Sequence, residues 1–152
     1  MLSQNPYGAS AYRAIGIETG VATADPLGLV VMLYDGAIQA ISRAEGHLAQ
    51  GEIEARGLYT SKAIDIVTQG LAASLDRRVG GALAESLGAL YEYMGRRLFA
   101  ANLKGDSATY AEVRKLLLDL RTSWMTLRAS TAAETAAIRG ASAHILGRSL
   151  TV

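Results

Sequence analysis

Proline stands only at positions 6 and 26, so from residue 27 to residue 152 nothing in the chain forbids a helix. With 152 residues, half of them hydrophobic, the chain has material for one domain with a substantial core. The reading is therefore a single, almost wholly helical unit.

The breaks between helices are marked by other residues. Residues 1–24 form a polar leader with scattered apolar side chains, too short to hold a helix alone. Asp25-Pro26 is a good helix start, because the carboxylate can accept from open amides and the proline ring presets φ at the first helical position. A first long helix is expected to about Gln50, where Gly51 can adopt a left-handed backbone, and a second runs from Glu52 to about Asp76. Arg77-Arg78-Val79-Gly80-Gly81 breaks the pattern. A third helix is expected over Ala82–Leu103, Lys104-Gly105-Asp106 ends it, and a fourth starts at Ser107 and reaches Leu127 or beyond. Residues 129–152, rich in alanine and serine, read as a flexible extension or a continuation of that helix.

Apolar residues recur at three-four spacing in every segment: Leu27, Val30, Val31, Tyr34, Ile38 and Ile41, then Thr60, Ile64, Val67, Leu71 and Leu75. The third helix gives Leu83, Leu87, Leu90, Tyr91, Met94 and Leu98, and the fourth Tyr110, Val113, Leu117, Leu120 and Trp124. Short connections make successive helices antiparallel neighbours. The expected fold is all-α, an antiparallel up-down four-helix bundle over residues 25–128, with residues 1–24 as a cap segment. Its core is expected to hold Val31, Tyr34, Ile38, Ile64, Val67, Leu71, Leu87, Leu90, Met94, Leu117 and Trp124. Glycines inside the helices, among them Gly28, Gly57, Gly88 and Gly95, each cost about 0.8–1.0 kcal/mol against alanine, which close approach of packed helices, or of a bound partner helix, would offset.

Chemistry finds little footing here. His47 and His144 form no Glu-x-x-His pair of the kind a bundle di-metal site needs, and no cysteine is present. No phosphate loop, dinucleotide fingerprint or nucleophile elbow occurs, so neither a cofactor nor catalysis is expected. A net charge of +1 argues against nucleic acid as partner, and the arginine pairs 77-78 and 96-97 read as solvated or internally paired charges. Arg97 is the exception, since it lies one turn from Tyr93 at the border of an apolar stripe and can seal a groove. The first twenty residues have neither a basic start nor a secretory apolar run, so the expected location is the cytoplasm, with no membrane insertion.

One feature is anomalous. Leu27-Gly28-Leu29-Val30-Val31-Met32-Leu33-Tyr34 is apolar nearly all the way round, and at 100° per residue Leu29, Met32 and Leu33 point away from the core stripe. Ile66, Leu58, Phe99, Leu103 and Leu118 also lie off their stripes. Each gains about 1.5–3 kcal/mol when fully covered, so together they can order the leader through Tyr12, Ile15 and Ile17 or capture an amphipathic segment of another chain. A homodimer through the same face is the competing reading, and with it a structural or signalling role.

Tyr12, Asp25-Pro26, Met32-Leu33-Tyr34-Asp35-Gly36-Ala37, Ser61-Lys62-Ala63-Ile64, Gly80-Gly81, the stretch Leu90-Tyr91-Glu92-Tyr93-Met94 through Arg96-Arg97-Leu98 to Ala101-Asn102, and Trp124 occur here in one order. In that order the chain resembles the flagellar export chaperone family FliS over roughly residues 10–128. The resemblance implies a non-enzymatic bundle that binds the disordered C-terminal segment of flagellin in the cytoplasm. It implies further that the bundle prevents early polymerisation and presents the chaperone–flagellin complex to the flagellar export gate. It also implies a leader, around Tyr12, that covers part of the binding groove. The partner-facing residues expected are Tyr12, Ile15, Ile17, Leu29, Met32, Leu33, Ile66, Tyr93, Arg97 and Phe99. Gly95 stands where the family usually has a larger residue, and the tail past residue 128 has no counterpart there.

Overall fold

The computed structural model describes residues 25–78 and 80–150. Helix α1 spans Pro26–Ala49, α2 Ile53–Asp65, a π-helical segment Ile66–Leu71, α3 Ala72–Arg78, α4 Gly81–Lys104 and α5 Ser107–Leu150. The second rod is continuous from α2 through the π segment to α3, so four rods are packed together, and no strand occurs among the described residues.

The ends are set by the residues the sequence singled out. Asp25 caps α1 by accepting from the Gly28 amide at 3.2 Å, with Pro26 beginning the first turn. A Cβ on Gly28 would fall 2.5 Å from the Asp25 carboxylate, so glycine is what lets the cap close. Gly51 takes φ 73° between α1 and α2, and Gly105 takes φ 63° after α4. Asp106 then caps α5, accepting from the Ala108 and Thr109 amides at 3.1 and 3.3 Å and from the Thr109 hydroxyl at 2.7 Å.

α1 packs against the second rod on one side and α5 on the other, while α4 packs against the second rod and α5. The order round the bundle is therefore α1, second rod, α4, α5. Two hydroxyl pairs tie the diagonals: Tyr34 on α1 to Tyr91 on α4 at 2.6 Å, and Thr60 on α2 to Tyr110 on α5 at 2.7 Å. Arginines at seven-residue steps on α5 stitch it to α1: Arg114 to Glu45 at 2.7 Å, Arg121 to Asp35, and Arg128 to Asp25 at 2.7 Å. The pairing descends α1 as it climbs α5, which fixes the two helices as antiparallel. Each such surface pair contributes only about 0–1 kcal/mol, so the ladder sets register more than stability.

The core differs from the expected list by one position in several places. Ala37 and Ala63 are fully buried, whereas Ile38 and Ile64, their larger neighbours, are half-buried at the edge; Leu90 is likewise half-buried beside fully buried Tyr91. At positions 37 and 63 the small side chain is the enclosed one, while Tyr34, Tyr91, Tyr110, Met94 and Leu98 fill the rest of the core. Val31, Tyr34, Val67, Leu71, Leu87, Met94, Leu117 and Trp124 are buried. Gly95 is also buried, and a Cβ there would sit 2.7 Å from the Thr68 methyl group, so it marks close contact of α4 with the π segment.

α1 is long and apolar enough to cross a membrane by composition, but half of its most apolar window is buried inside the bundle. That is the pattern of a core helix. α5 continues straight through the residues read as an extension, and every described side chain from 125 to 144 is exposed.

Candidate functional site: the second face of the first helix

α1 carries a second stripe beside its core stripe. Leu29, Met32, Gly36, Ala40 and Arg43 follow one another at three- or four-residue steps, with Leu33 one turn after Leu29, and so share one side of the helix. Leu29 and Met32 are half-buried, Gly36 likewise, and Arg43 is exposed. At its Arg43 end the stripe opens into a cleft of about 170 Å³ between α1 and α2, lined by Gly36, Gln39, Ala40, Arg43, Tyr59 and Lys62. One face of α1 is thus apolar at its start and cationic further along.

Tyr59 organises the polar end. Its hydroxyl accepts from Arg43 at 3.3 Å, the Arg43 guanidinium carbon lies 5.5 Å from its ring centre, and His47 stacks on the ring at 5.3 Å and 14°. His47 in turn lies 3.1 Å from Glu52. Among the described residues no carboxylate comes within 4 Å of Arg43 or Lys62.

The expected partner-facing residues do not form one surface. Leu33 is 1% exposed and Ile66 0% exposed, so both are corrected to core residues. The reason is that α1 packs along the second rod as well as α5, and this second contact covers the side of α1 that carries Leu33 and the start of the π segment that carries Ile66. Leu29 and Met32 stay partly open further out on that side. Tyr93 and Arg97 lie elsewhere, on the seam between α4 and α5, where the Tyr93 hydroxyl donates to Glu112 at 2.6 Å and Arg97 donates to Glu112 at 2.9 Å and Thr109 at 3.3 Å. Arg97 holds the Glu112 carboxyl below the usual range, and Glu112 raises both the Arg97 and Tyr93 values. The Tyr93 hydroxyl and one Arg97 terminal nitrogen are thus engaged at the bundle surface, while Arg97 Nε is buried without a partner among the described residues, so Arg97 bridges a seam between helices. Tyr12, Ile15 and Ile17 lie outside the described residues.

Phe99 belongs to a third patch. It and Leu103, 64% and 73% exposed, flank the seam between α4 and α2. Arg56 closes that seam by donating to the side-chain and main-chain oxygens of Asn102 at 3.0 and 2.8 Å. The cleft residues Gln39, Arg43, Tyr59 and Lys62 were missed in the sequence, although the step from Leu29 through Met32 and Gly36 to Arg43 carried the signal.

Among the described residues no three His, Asp or Glu side chains gather as a metal site would require. The bundle thus offers a partly open apolar face on α1 with a cationic cleft beside it. The chain matches the family model "Flagellar protein FliS" over residues 8–131. It is 44% identical over 117 residues to the flagellar secretion chaperone FliS of Salmonella typhimurium, covering 77% of this chain and 87% of the relative. Against the chaperone of the same name from Escherichia coli it is 39% identical over 117 residues, 77% of this chain and 86% of the relative. Against that of Bacillus subtilis it is 37% identical over 124 residues, 82% and 86%. The chain belongs to the FliS family of flagellar secretion chaperones, a family of binding proteins and not of enzymes.

Proposed function

We propose that this protein is a cytoplasmic export chaperone that binds the disordered C-terminal segment of flagellin, prevents its premature polymerisation and delivers it to the export gate of the flagellar type III apparatus. The observation that carries the reading is the partly uncovered second face of α1 in a chain of this family. A disordered segment that folds on binding lays apolar helix faces into grooves, and much of the burial energy is offset by its ordering. Leu29 and Met32 supply one apolar contact, and Phe99 and Leu103 a second on the other flank of the second rod, so an extended guest can reach both. The leader, through Tyr12, Ile15 and Ile17, competes for this surface, and flagellin affinity is reduced by whatever free energy holds it there.

Titration calorimetry with a flagellin C-terminal peptide tests the reading. Leu29→Asp combined with Met32→Asp is expected to weaken binding at least tenfold with helical circular dichroism unchanged. Full affinity in that variant removes α1 from the site. Light scattering adds a second check, since a constant dimer indifferent to the peptide favours a self-associating bundle.

A further inference from the structure

The cleft at the Arg43 end of α1 has a chemistry that apolar capture does not use. It presents a guanidinium, an ammonium, a phenol and a carboxamide from Arg43, Lys62, Tyr59 and Gln39, and its lining contains no acidic residue. Gly36 and Ala40 add almost no side-chain bulk from α1. Stacking on Tyr59 positions Arg43, and Lys62 approaches the same cleft from α2. Two cations without a carboxylate partner among the described residues are complementary to one anionic group, which both can contact with charge-assisted hydrogen bonds.

We infer that this cleft receives the carboxylate of an aspartate or glutamate side chain on the bound flagellin segment. The assignment rests on the proposed function, and it deepens that reading from an apolar guest to one with an acidic residue in register with its apolar anchors. A side chain is favoured over a free chain terminus because terminal carboxylates are captured by nests of open backbone amides. Here the wall residues lie in the interiors of α1 and α2, where the amides are spent on the helices. The cleft shares a face of α1 with Leu29 and Met32, so one guest helix running along that face meets apolar contacts first and the cationic pair later. Such an arrangement fixes direction as well as position, because a reversed guest would set its acid against the leucine and methionine.

The test is calorimetry of a flagellin C-terminal peptide with the full chain and with Lys62→Met and Arg43→Gln. Arg43 is exposed and Lys62 half-buried at the cleft, and circular dichroism with a urea midpoint checks that the variants fold. Each is expected to lose about tenfold in affinity at low salt, the loss shrinking in half-molar salt. Changing one Asp or Glu of the peptide to its amide should cause the same loss in wild type and no further loss in Lys62→Met. Unchanged affinity of both variants, or losses that simply add for every acidic position, overturns the assignment while flagellin binding stands. A loss caused only by amidating the peptide's C-terminus moves the anion to the chain end and also overturns it. A wild-type chain that binds no flagellin peptide overturns this assignment and the proposed function together.

Discussion

Trp124 on α5 donates its indole N–H to the Tyr34 hydroxyl on α1 at 3.0 Å, and that hydroxyl lies 2.6 Å from the hydroxyl of Tyr91 on α4. Three of the four rods thus meet at one buried oxygen. The phenol rings of Tyr34 and Tyr91 also meet edge-on, 6.4 Å between centres. Tyr34→Phe strands the Trp124 N–H and removes a partner from Tyr91, so it is expected to cost about 2–4 kcal/mol. Tyr91→Phe strands less and should cost about half as much. Urea unfolding measures both, and a Tyr34→Phe cost under about 1 kcal/mol would show that the Trp124 N–H finds another partner when the Tyr34 hydroxyl is removed.

Gly95 and Gly46 should respond to alanine with opposite signs. A Cβ at Gly95 meets the Thr68 methyl at 2.7 Å, so Gly95→Ala is expected to destabilise by about 1–3 kcal/mol. Adding Thr68→Ser removes that methyl while keeping a hydroxyl for the Ile64 carbonyl, and should recover most of the loss. Nothing lies within 4 Å of a Cβ at Gly46 inside α1, so Gly46→Ala should stabilise by about 1 kcal/mol. Additive behaviour of the Gly95 and Thr68 changes in a double-mutant cycle would show that the contact is not what restricts position 95.

What could be read in advance follows from size and spacing. The caps at Asp25 and the turns at Gly51 and Gly105 were legible because each uses a residue with a local backbone reason to be there. The core stripes were legible to within one position, and the slips at Ile38 and Ile64 have one cause: an apolar pattern weighs large side chains, while at these two steps the fully enclosed residues are their small neighbours Ala37 and Ala63. Leu33 and Ile66 are enclosed although they lie off the apolar stripes, because a stripe implies one neighbour per helix and α1 has two. The π segment left no sequence sign. Nor did the Tyr34–Trp124 bond, since spacing buries both residues without joining them. The heptad step of Arg114, Arg121 and Arg128 was visible, but its partners Asp25, Asp35 and Glu45 recur at ten residues and form no helical face.

Acid and alkali should weaken the fold for different reasons. Arg128 lowers the Asp25 carboxyl, the Thr109 hydroxyl and amide lower Asp106, and Arg97 lowers Glu112. Each depressed group adds stability that is present above its unfolded value, near 4, and is lost as pH falls through the folded value. Burial raises Tyr34 and Tyr91, so their contribution is complete below about pH 10 and is lost as pH rises beyond it. Thermal midpoints from pH 2 to 11 should form a plateau between those limits. Asp106→Asn should flatten the acid limb and Tyr91→Phe the alkaline one; limbs unchanged by these substitutions would assign the transitions to other groups.

Leu33 and Leu29 give the sharpest separation of fold from binding. Leu33 is enclosed where α1 meets the second rod, so Leu33→Asp buries a charge with no partner and should unfold the bundle outright. Leu29, one turn earlier on the same side, is only half-buried, and an aspartate there can turn to solvent at a cost of about 1 kcal/mol or less. Leu29→Asp is therefore expected to keep full helical ellipticity and near-native cooperativity while losing affinity for a flagellin C-terminal peptide. Circular dichroism and calorimetry on the same samples distinguish the two. A folded, binding-competent Leu33→Asp protein would mean that the contact between α1 and the second rod opens in solution, and that the guest reaches deeper into the bundle than Leu29 and Met32.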